Sequence, residues 1–372
     1  MHSVWVSPRE ALERDQRKEI ELIFPTRSTL ADLAHFRAPR DAFEHARNLG
    51  DIEVNAACWA LDHEGSQRLF RASDAPYHEI HWSDPEEKGT TCFVIQPGIP
   101  KRLDQYVTRL TAPNPGMMTG PGTNTYLVGD GDLAVIDPGP ALESHVAKIL
   151  ETGAGRIRWI FATHTHTDHS PAVAPLKRRT GATVYGQRSA HSQWQDASFA
   201  PDVTLAGGER FELPGDTTLR AIHTPGHASN HLCYLLEEEK LLFTGDHVMQ
   251  ASTVVINPPD GDMAAYVASL RALIAGVGQD LEWLAPGHGF LMAQPKRAMQ
   301  WIVEHRLKRE AKVVAALRAL GPADADALLP RVYDDVRPQL HAVARRSLLA
   351  HLLKLRSDGA ADEAEGVWAL RA

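Results

Sequence analysis

Residues 163–170, THTHTDHS, place three histidines and an aspartate close together, directly after an apolar run. The apolar run, residues 157–161, predicts a buried strand, so the polar residues lie on the loop where that strand ends. Loops at strand ends often carry functional side chains. Imidazole and carboxylate ligands without thiolate suit zinc, and manganese or iron are the alternatives. The motif therefore predicts a metal site.

The spacing within the motif indicates two metal ions. Alternate side chains of an extended segment point the same way, so His164 and His166 can reach one cation. Asp168 and His169, beyond the turn, can reach a second. The alternative is that Asp168 caps a helix beginning near Ser170, but the density of histidines favours the dinuclear metal site.

Three further candidate ligands follow other short apolar runs. His227 lies in TPGHASNH, Asp246 in FTGDH and His288 in APGHG. A glycine precedes each of them, and it permits the close backbone approach that a crowded metal loop needs. These glycines are Gly226, Gly245 and Gly287.

Strands and helices alternate around these loops. Residues 125–137 predict a hairpin that turns on GDGD, and residues 232–246 predict a second hairpin. A helix capped by Asp262 leads into the run before His288. Beyond residue 295 the pattern of apolar residues changes, and it predicts three amphipathic helices and a terminal strand.

The order HxHxDH, then H, D and H resembles the metallo-beta-lactamase superfamily over about residues 105–290. The resemblance implies an α/β fold, a four-layer αββα sandwich. It implies two zinc ions per chain, with manganese or iron as alternatives. One ion would be bound by His164, His166 and His227, the other by Asp168, His169 and His288, and Asp246 would bridge them.

A narrower resemblance is visible in residues 114–129, 224–246, 285–289 and 304–310. They are similar to the beta-lactamase-like protein 2 group of metal-dependent hydrolases, some of which are single-strand endoribonucleases. Members carry a winged-helix-like domain after the catalytic domain.

The two resemblances predict three parts of the chain. They are an accessory α+β region at 1–95, a catalytic domain at 96–292 and a winged-helix-like domain at 293–372. Within the accessory region, residues 4–34 resemble the C-terminal end of a Nudix domain, but the chain lacks the Nudix box, so a role in homo-oligomer contacts is the hypothesis.

The ligand set implies hydrolysis. Two ions bridged by Asp246 lower the pKa of a water molecule from about 15.7 toward neutrality and so supply a hydroxide nucleophile. Asp168 is the predicted catalytic residue, which orients the nucleophile or takes its proton. Four further residues are candidates for supporting the ligands or contacting the substrate: His231, His247, His305 and Arg306.

Composition narrows the class of protein. The chain has 372 residues, 43% of them hydrophobic, which suffices for two or three domains with a sizeable core. Three cysteines without CxxC spacing predict reduced thiols and a cytoplasmic location. We expect neither a signal peptide nor a membrane span, because no apolar run is long enough.

The charge distribution bears on nucleic-acid binding. A net charge of −8 argues against it, but basic residues cluster between 296 and 312. They form either a phosphate-binding rim or a solvated helix face. Sequence-specific DNA binding is not expected, although Arg345, Arg346 and Lys354 lie on the third predicted helix of the winged unit.

Cleavage of single-stranded RNA is the first expectation for this hydrolase, and there are two alternatives. Cleavage of single-stranded RNA predicts a basic and aromatic groove with Trp301 near the metals. Hydrolysis of a small molecule, an ester, thioester, lactone or beta-lactam, predicts an enclosed pocket lined by Met117 and Met118. A non-catalytic nucleic-acid-binding regulator predicts binding that survives loss of the metals.

Overall fold

The computed structural model describes residues 5–48, 56–250 and 252–371. The chain divides into two compact units, Met1–Ala56 and Ala57–Ala372. Within the described segments, no helix is both long and apolar enough to cross a bilayer. The predicted boundaries near residues 95 and 292 stay a prediction.

The first unit contains three short helices in its described part. They are α1 (Pro8–Gln16), α2 (Phe24–Leu33) and α3 (Pro39–Arg47). The Ser7 hydroxyl caps α1 by accepting from the Glu10 amide. Asp15 at the end of α1 accepts from Arg27 of α2 at 2.7 Å, which ties the two helices together.

The second unit begins with a small hairpin and a helix. These are β1 (Cys58–Leu61), β2 (Gln67–Phe70) and α4 (Tyr77–Ser83). Ala60, Phe70 and Ile80 bury their side chains in a core of their own. Residues 57–95 are therefore folded around a local apolar centre.

A seven-stranded sheet follows, with its strands ordered in space as along the chain. Its strands are β3 (Lys101–Arg102), β4 (Val107–Thr111), β5 (Asn124–Val128), β6 (Leu133–Ile136), β7 (Ile157–Phe161), β8 (Thr183–Gly186) and β9 (Val203–Thr204). β3 to β6 are antiparallel, whereas β6 to β9 are parallel. Helices α5 (Glu143–Gly153) and α6 (Val173–Thr180) make crossover connections between parallel strands.

A six-stranded sheet forms the other half of the sandwich. Its strands, in spatial order, are β10 (Arg210–Leu213), β11 (Thr217–His223), β12 (Leu232–Leu236), β13 (Leu241–Gly245), β14 (Trp283–Pro286) and β15 (Met292–Ala293). Only the β13 and β14 pair is parallel. Helix α7 (Met263–Ala275) connects those two strands, and the Asp262 side chain caps it as predicted. A short 3-10 turn, Val277–Gln279, follows the helix.

The two sheets pack face to face and carry helices on their outer faces. Phe161 of β7 meets Tyr234 of β12 in the central core. Ile149 of α5 packs on the outer face of the first sheet, and Leu270 of α7 packs on the outer face of the second. The predicted four-layer αββα sandwich is confirmed.

The C-terminal part is a three-helix unit with a small antiparallel sheet. Its elements are α8 (Pro295–Leu320), β16 (Ala323–Asp324), α9 (Ala325–Val332), a 3-10 turn (Pro338–Leu340), α10 (His341–Ser357), β17 (Ala361–Ala364) and β18 (Val367–Leu370). Ile302 in the first half of α8 packs with the sandwich, and Leu317 in its second half packs with the C-terminal core. One helix thus fixes the C-terminal unit against the sandwich.

Candidate metal centre

Four loops at one end of the sandwich carry the predicted ligands. They follow β7, β11, β13 and β14, and they bring all seven predicted side chains together. The ligand atoms form three sets, each within 4.8 Å: His164, His166 and His227; His164, His169 and Asp246; Asp168, His169 and His288. The first and third sets match the division into two cations that the sequence predicts.

The first set consists of imidazoles alone. His166 Nδ1 lies 2.9 Å from His164 Nε2 and 3.1 Å from His227 Nε2. Burial, followed by the nearby His227, lowers the pKa of His166 to about 4. Burial also lowers the pKa of His164 and of His227. These imidazoles are therefore neutral at pH 7, which is the form that binds a metal.

The other half of the cluster is rich in carboxylates. His288 Nε2 lies 3.4 Å from both Asp168 Oδ2 and Asp246 Oδ1, and His169 Nε2 lies 3.4 Å from Asp246 Oδ1. Burial opposes a charge on His288, but Asp246 and Asp168 outweigh it and raise its pKa to about 9. Burial likewise opposes ionisation of Asp168, but His169 outweighs it and lowers that pKa to about 2. In this half of the cluster, the carboxylates therefore stabilise positive charge placed among them.

Unpaired polar atoms show that the cluster fits cations. Among the described residues, His169 Nε2, His288 Nε2 and Asp246 Oδ1 are buried and have no hydrogen-bond partner. Buried polar atoms without partners are rare and costly unless an ion or water satisfies them. The nitrogen and oxygen donors suit zinc, manganese or iron. The side chains present therefore fit a pair of divalent cations.

A second layer of hydrogen bonds fixes the imidazole rings. The outward nitrogens are bonded as follows: His164 Nδ1 to Thr163 Oγ1 at 3.0 Å, His169 Nδ1 to Asp137 Oδ2 at 2.8 Å, His227 Nδ1 to the Val255 carbonyl at 2.9 Å and His288 Nδ1 to the Gly122 carbonyl at 3.1 Å. Such partners set the tautomer and orientation of a metal-binding histidine.

Asp137 is a member of this layer that the sequence reasoning missed. It is buried and accepts from the backbone and the hydroxyl of Thr163, each at 2.7 Å, as well as from His169. In the sequence, Asp137 stands at the end of the second strand of the predicted hairpin, residues 125–137. The sequence signal for its role was its position: Asp137 directly follows the buried strand β6, which is adjacent to β7, the strand that precedes the metal-binding loop.

Two glycines permit the close approach that was predicted. A Cβ on Gly287 would lie 2.7 Å from both Asp246 Oδ1 and His169 Cε1. Gly226 has φ of +144°, and a Cβ there would lie 2.3 Å from the Cα of Tyr266. Both positions therefore require glycine.

His231 and His247 lie behind the cluster, on the side of the protein interior. The His231 ring stacks on His164 with centroids 5.0 Å apart, and its Nδ1 lies 2.9 Å from Thr224 Oγ1. His247 Nε2 lies 3.1 Å from Ser269 Oγ. Both rings are fully buried and do not line the cavity described next; His231 contacts the predicted ligand His164, whereas His247 contacts His231.

His305 and Arg306 do face the open side of the cluster. A cavity of about 600 Å³ reaches His166, Asp168 and Asp246 on one side and these two residues on the other. Further lining comes from the C-terminal unit: Tyr333, Val336, Leu340, Val343, Ala344 and Arg346. The C-terminal unit thus forms one wall of the cavity.

The predicted basic rim is largely occupied by contacts within the chain. Its members bond as follows: Lys296 to Gln279, Arg297 to Gln294, Arg306 to the Val254 carbonyl, Lys308 to Glu304, Arg309 to Asp335 and Lys312 to Asp334. Trp301, predicted near the metals, lines a separate cavity with Met292 and Ile302. Of the residues predicted to form an RNA groove, Arg306 and Arg309 line the cavity at the cluster, whereas Lys296, Arg297, Lys308, Lys312 and Trp301 do not.

Comparison with known proteins agrees with this geometry. The metallo-beta-lactamase superfamily model matches residues 118–288, and the beta-lactamase associated winged helix domain model matches residues 325–368. The lactamase-like protein vrtG of Penicillium aethiopicum is 33% identical over 253 residues, 67% of this chain and 78% of that protein. The thioesterase pkgB of Emericella nidulans is 35% identical over 245 residues, 65% of this chain and 67% of that protein. An atrochrysone carboxyl ACP thioesterase of Aspergillus chevalieri is 34% identical over 222 residues, 59% of this chain and 68% of that protein.

Solved structures share the fold. A beta-lactamase domain protein from Burkholderia ambifaria has a TM-score of 0.63 and 19% identity, covering 75% of this chain and 97% of its own. A metallo-beta-lactamase family protein from Thermus thermophilus has a TM-score of 0.60 and 21% identity, covering 73% of this chain and 100% of its own. The chain belongs to the metallo-beta-lactamase superfamily. It is a hydrolase of that superfamily with a C-terminal beta-lactamase-associated winged helix domain.

Proposed function

We propose that the enzyme hydrolyses an acyl thioester with two divalent cations, zinc in the first instance. The observation that carries the proposal is the cavity at the cluster, whose lining combines apolar side chains of the C-terminal unit, such as Val336, Leu340 and Val343, with polar and charged ones. Met117 and Met118, predicted to line a small-molecule pocket, are among its lining residues. Two of the relatives are named as thioesterases, which supports the same choice. Cleavage of RNA receives less support, because the basic side chains between residues 296 and 312, which were expected to bind phosphates, bond within the chain.

The cluster supplies the metal-binding groups in this proposal. His164, His166 and His227 would hold one cation, Asp168, His169 and His288 the other, and Asp246 would lie between them. Bound there, the cations would lower the pKa of a water molecule toward neutrality and polarise the carbonyl of the thioester.

Asp168 is the proposed catalytic residue. It lines the cavity, its side chain is 28% exposed, and its pKa of about 2 keeps it ionised at pH 7. A carboxylate in that position can orient the attacking water and accept its proton. The remaining cluster residues hold the reacting groups in place.

The protonation state of His305 favours a thioester substrate over an amide, because the two substrates have different leaving groups. His305 lines the cavity, but burial, helped by the charge of Arg306, lowers its pKa to about 4, so at pH 7 it is neutral and a poor acid. A thiolate, whose conjugate acid has a pKa of about 8.5, leaves without being protonated. An amine leaving group needs a proton donor. The cavity is therefore better suited to a thioester than to a beta-lactam.

The test compares substrates on zinc-loaded protein. The panel contains an acyl-coenzyme A, a lactone, a beta-lactam and single-stranded RNA, with thiol release measured for the first. We expect turnover of the thioester and a loss of more than about a hundredfold in His164→Ala. His191→Ala, which removes an imidazole outside the cluster, is the matched control. Turnover of RNA alone, or thioester turnover that survives in His164→Ala, would contradict the proposal.

A further inference from the structure

A second cavity, an apolar groove, begins beside the metal centre. Its volume is about 550 Å³, and the predicted ligand His288 is one of its lining residues. It shares Met117, Met118, Met249 and Ser252 with the cavity described above, so the two are continuous. Met117 and Met118 are 72% and 50% exposed and lie between them.

The outer wall of this groove comes from the segment that precedes the sandwich. The contributing side chains are Phe70, Ala75, Pro76, Phe93, Val94 and Ile95. Among the described residues that line the groove, none is Asp, Glu, Lys or Arg. A concave surface of this size and polarity is typical of a site for an apolar ligand.

The wall is fixed firmly beside the metal centre. Glu79 of α4 forms a buried ion pair with Arg109 of β4, with contacts of 2.5 and 2.8 Å, and accepts from the Leu291 amide. Gln250 donates to the Ala75 carbonyl at 2.6 Å and accepts from the Phe290 amide at 3.0 Å. These bonds join residues 57–95 to the loop that follows His288. The groove is therefore a built feature and not an incidental gap between loose segments.

The two cavities differ in polarity on opposite sides of the cluster. The cavity toward the C-terminal unit contains Arg306, Arg309 and Arg346, whereas the groove has an apolar lining. A thioester has a matching asymmetry, since its acyl chain is apolar and its thiol part is polar. Methionines at the junction can adapt to acyl chains of different shape.

We propose that this groove binds the acyl chain of the substrate, and that residues 57–95 form the wall that selects long apolar chains. The proposal rests on the proposed function and narrows it to thioesters of extended apolar acids. It also gives the segment before the sandwich a role in substrate selection.

The experiment measures chain-length dependence together with ligand binding. Turnover of acetyl-, hexanoyl- and decanoyl-coenzyme A is measured on zinc-loaded protein, and binding of decanoate and acetate is measured by calorimetry. For the parent protein we expect kcat/KM to rise about two- to fourfold per added methylene until the groove is filled. In Ile95→Asp, the ratio of decanoyl to acetyl turnover falls at least about tenfold, and decanoate binding weakens equally.

A matched control lies four positions away. Ile99 is 54% exposed and does not line the groove, so Ile99→Asp keeps the parental ratio. Val94→Asp repeats the test at a neighbouring lining position, in case Ile95→Asp has a lowered melting temperature. Ile95→Leu retains an apolar wall and restores the ratio.

The outcomes separate the two proposals. Thioester turnover with no chain-length preference, or decanoate binding that is equal in the parent and in both aspartate variants, overturns the groove proposal and leaves the thioesterase proposal standing. Decanoate binding that weakens in those variants, without turnover of any thioester, supports the groove and overturns the thioesterase proposal.

Discussion

The metal cluster and the walls around it are built in different ways. Each cluster residue lies on a short loop directly after a strand, and the outward nitrogens of His164, His169, His227 and His288 lie within hydrogen-bond distance of carbonyl, hydroxyl or carboxylate oxygens. The walls come from segments far apart in the chain, such as Ile95, Met117 and Arg346, which meet through side-chain packing. In the proposed function, the cluster determines what reaction is catalysed, and the walls determine which molecule reaches it. Changes to the cluster should therefore affect all substrates, whereas changes to the walls should discriminate between them.

The largest effect in this comparison is expected from Asp137, which touches the cluster but does not face the cavity. Asp137→Asn removes the charge behind His169 and weakens its hold on a metal, so zinc affinity falls about 10- to 100-fold. Competition with a chromogenic chelator measures that affinity. Activity toward every substrate should fall in proportion and recover when zinc is supplied in excess.

A matched control for Asp137 is available in the preceding turn. Asp130 is exposed and lies outside the cluster, so Asp130→Asn should bind zinc like the parent. If Asp137→Asn also binds zinc like the parent, the idea that this carboxylate orients His169 is wrong.

The cluster could be predicted from sequence because its geometry is local. Histidines two residues apart on a strand end, with a glycine before each downstream ligand, fix the relative positions of the donors once the strands are adjacent. The alternation of strands and helices could also be predicted, because buried apolar residues recur with a different spacing in a strand than in a helix. Asp137 was missed because a lone aspartate at a strand end is also an ordinary way to end a strand.

The walls could not be predicted in the same way. Residues 57–95 reach the metal centre through the ion pair between Glu79 and Arg109, which are 30 positions apart, and no local pattern encodes that pairing. The basic residues of α8 formed a visible cluster in the sequence, but their acidic partners Asp334 and Asp335 lie on another loop. A charge count along the chain cannot show which charges neutralise one another in the fold.

Arg346 offers a smaller and selective effect. Its guanidinium lies 5.0 Å above the Trp194 ring on the cavity wall, and within the described part of the chain it has no acidic partner. A phosphate-bearing leaving group would gain a contact there. We expect Arg346→Ala to raise KM for acyl-coenzyme A by about three- to tenfold while leaving kcat unchanged.

The control substrate for Arg346 is an acyl N-acetylcysteamine thioester, which carries no phosphate and should keep its KM. The neighbouring Arg345 pairs with Asp326 and does not line the cavity, so Arg345→Ala serves as the control variant. An equal rise in KM for both thioesters would show that Arg346 acts by shaping the wall and not by its charge.

The smallest effect concerns the stability of the wall that the C-terminal unit forms at the cavity beside the metal cluster, and it leaves the reaction unchanged. The hydrogen bond from Arg309 lowers the pKa of Asp335 to about 2, and the same guanidinium lies 4.5 Å from the centre of the Tyr333 ring on the cavity wall. Because the pKa is lower in the folded state, this contact stabilises the fold above the ordinary carboxyl pKa of 3.8, and the stabilisation disappears as the pH falls toward 2. The Asp335 side chain is 53% exposed, so solvent screening limits the contribution to about 1 kcal/mol.

Urea unfolding of Asp335→Asn should therefore show a free energy of unfolding lower than that of the parent by this amount at pH 7 and by a clearly smaller amount at pH 3. A deficit that does not change with pH would mean that the packing of Asp335, and not its charge, supports the wall.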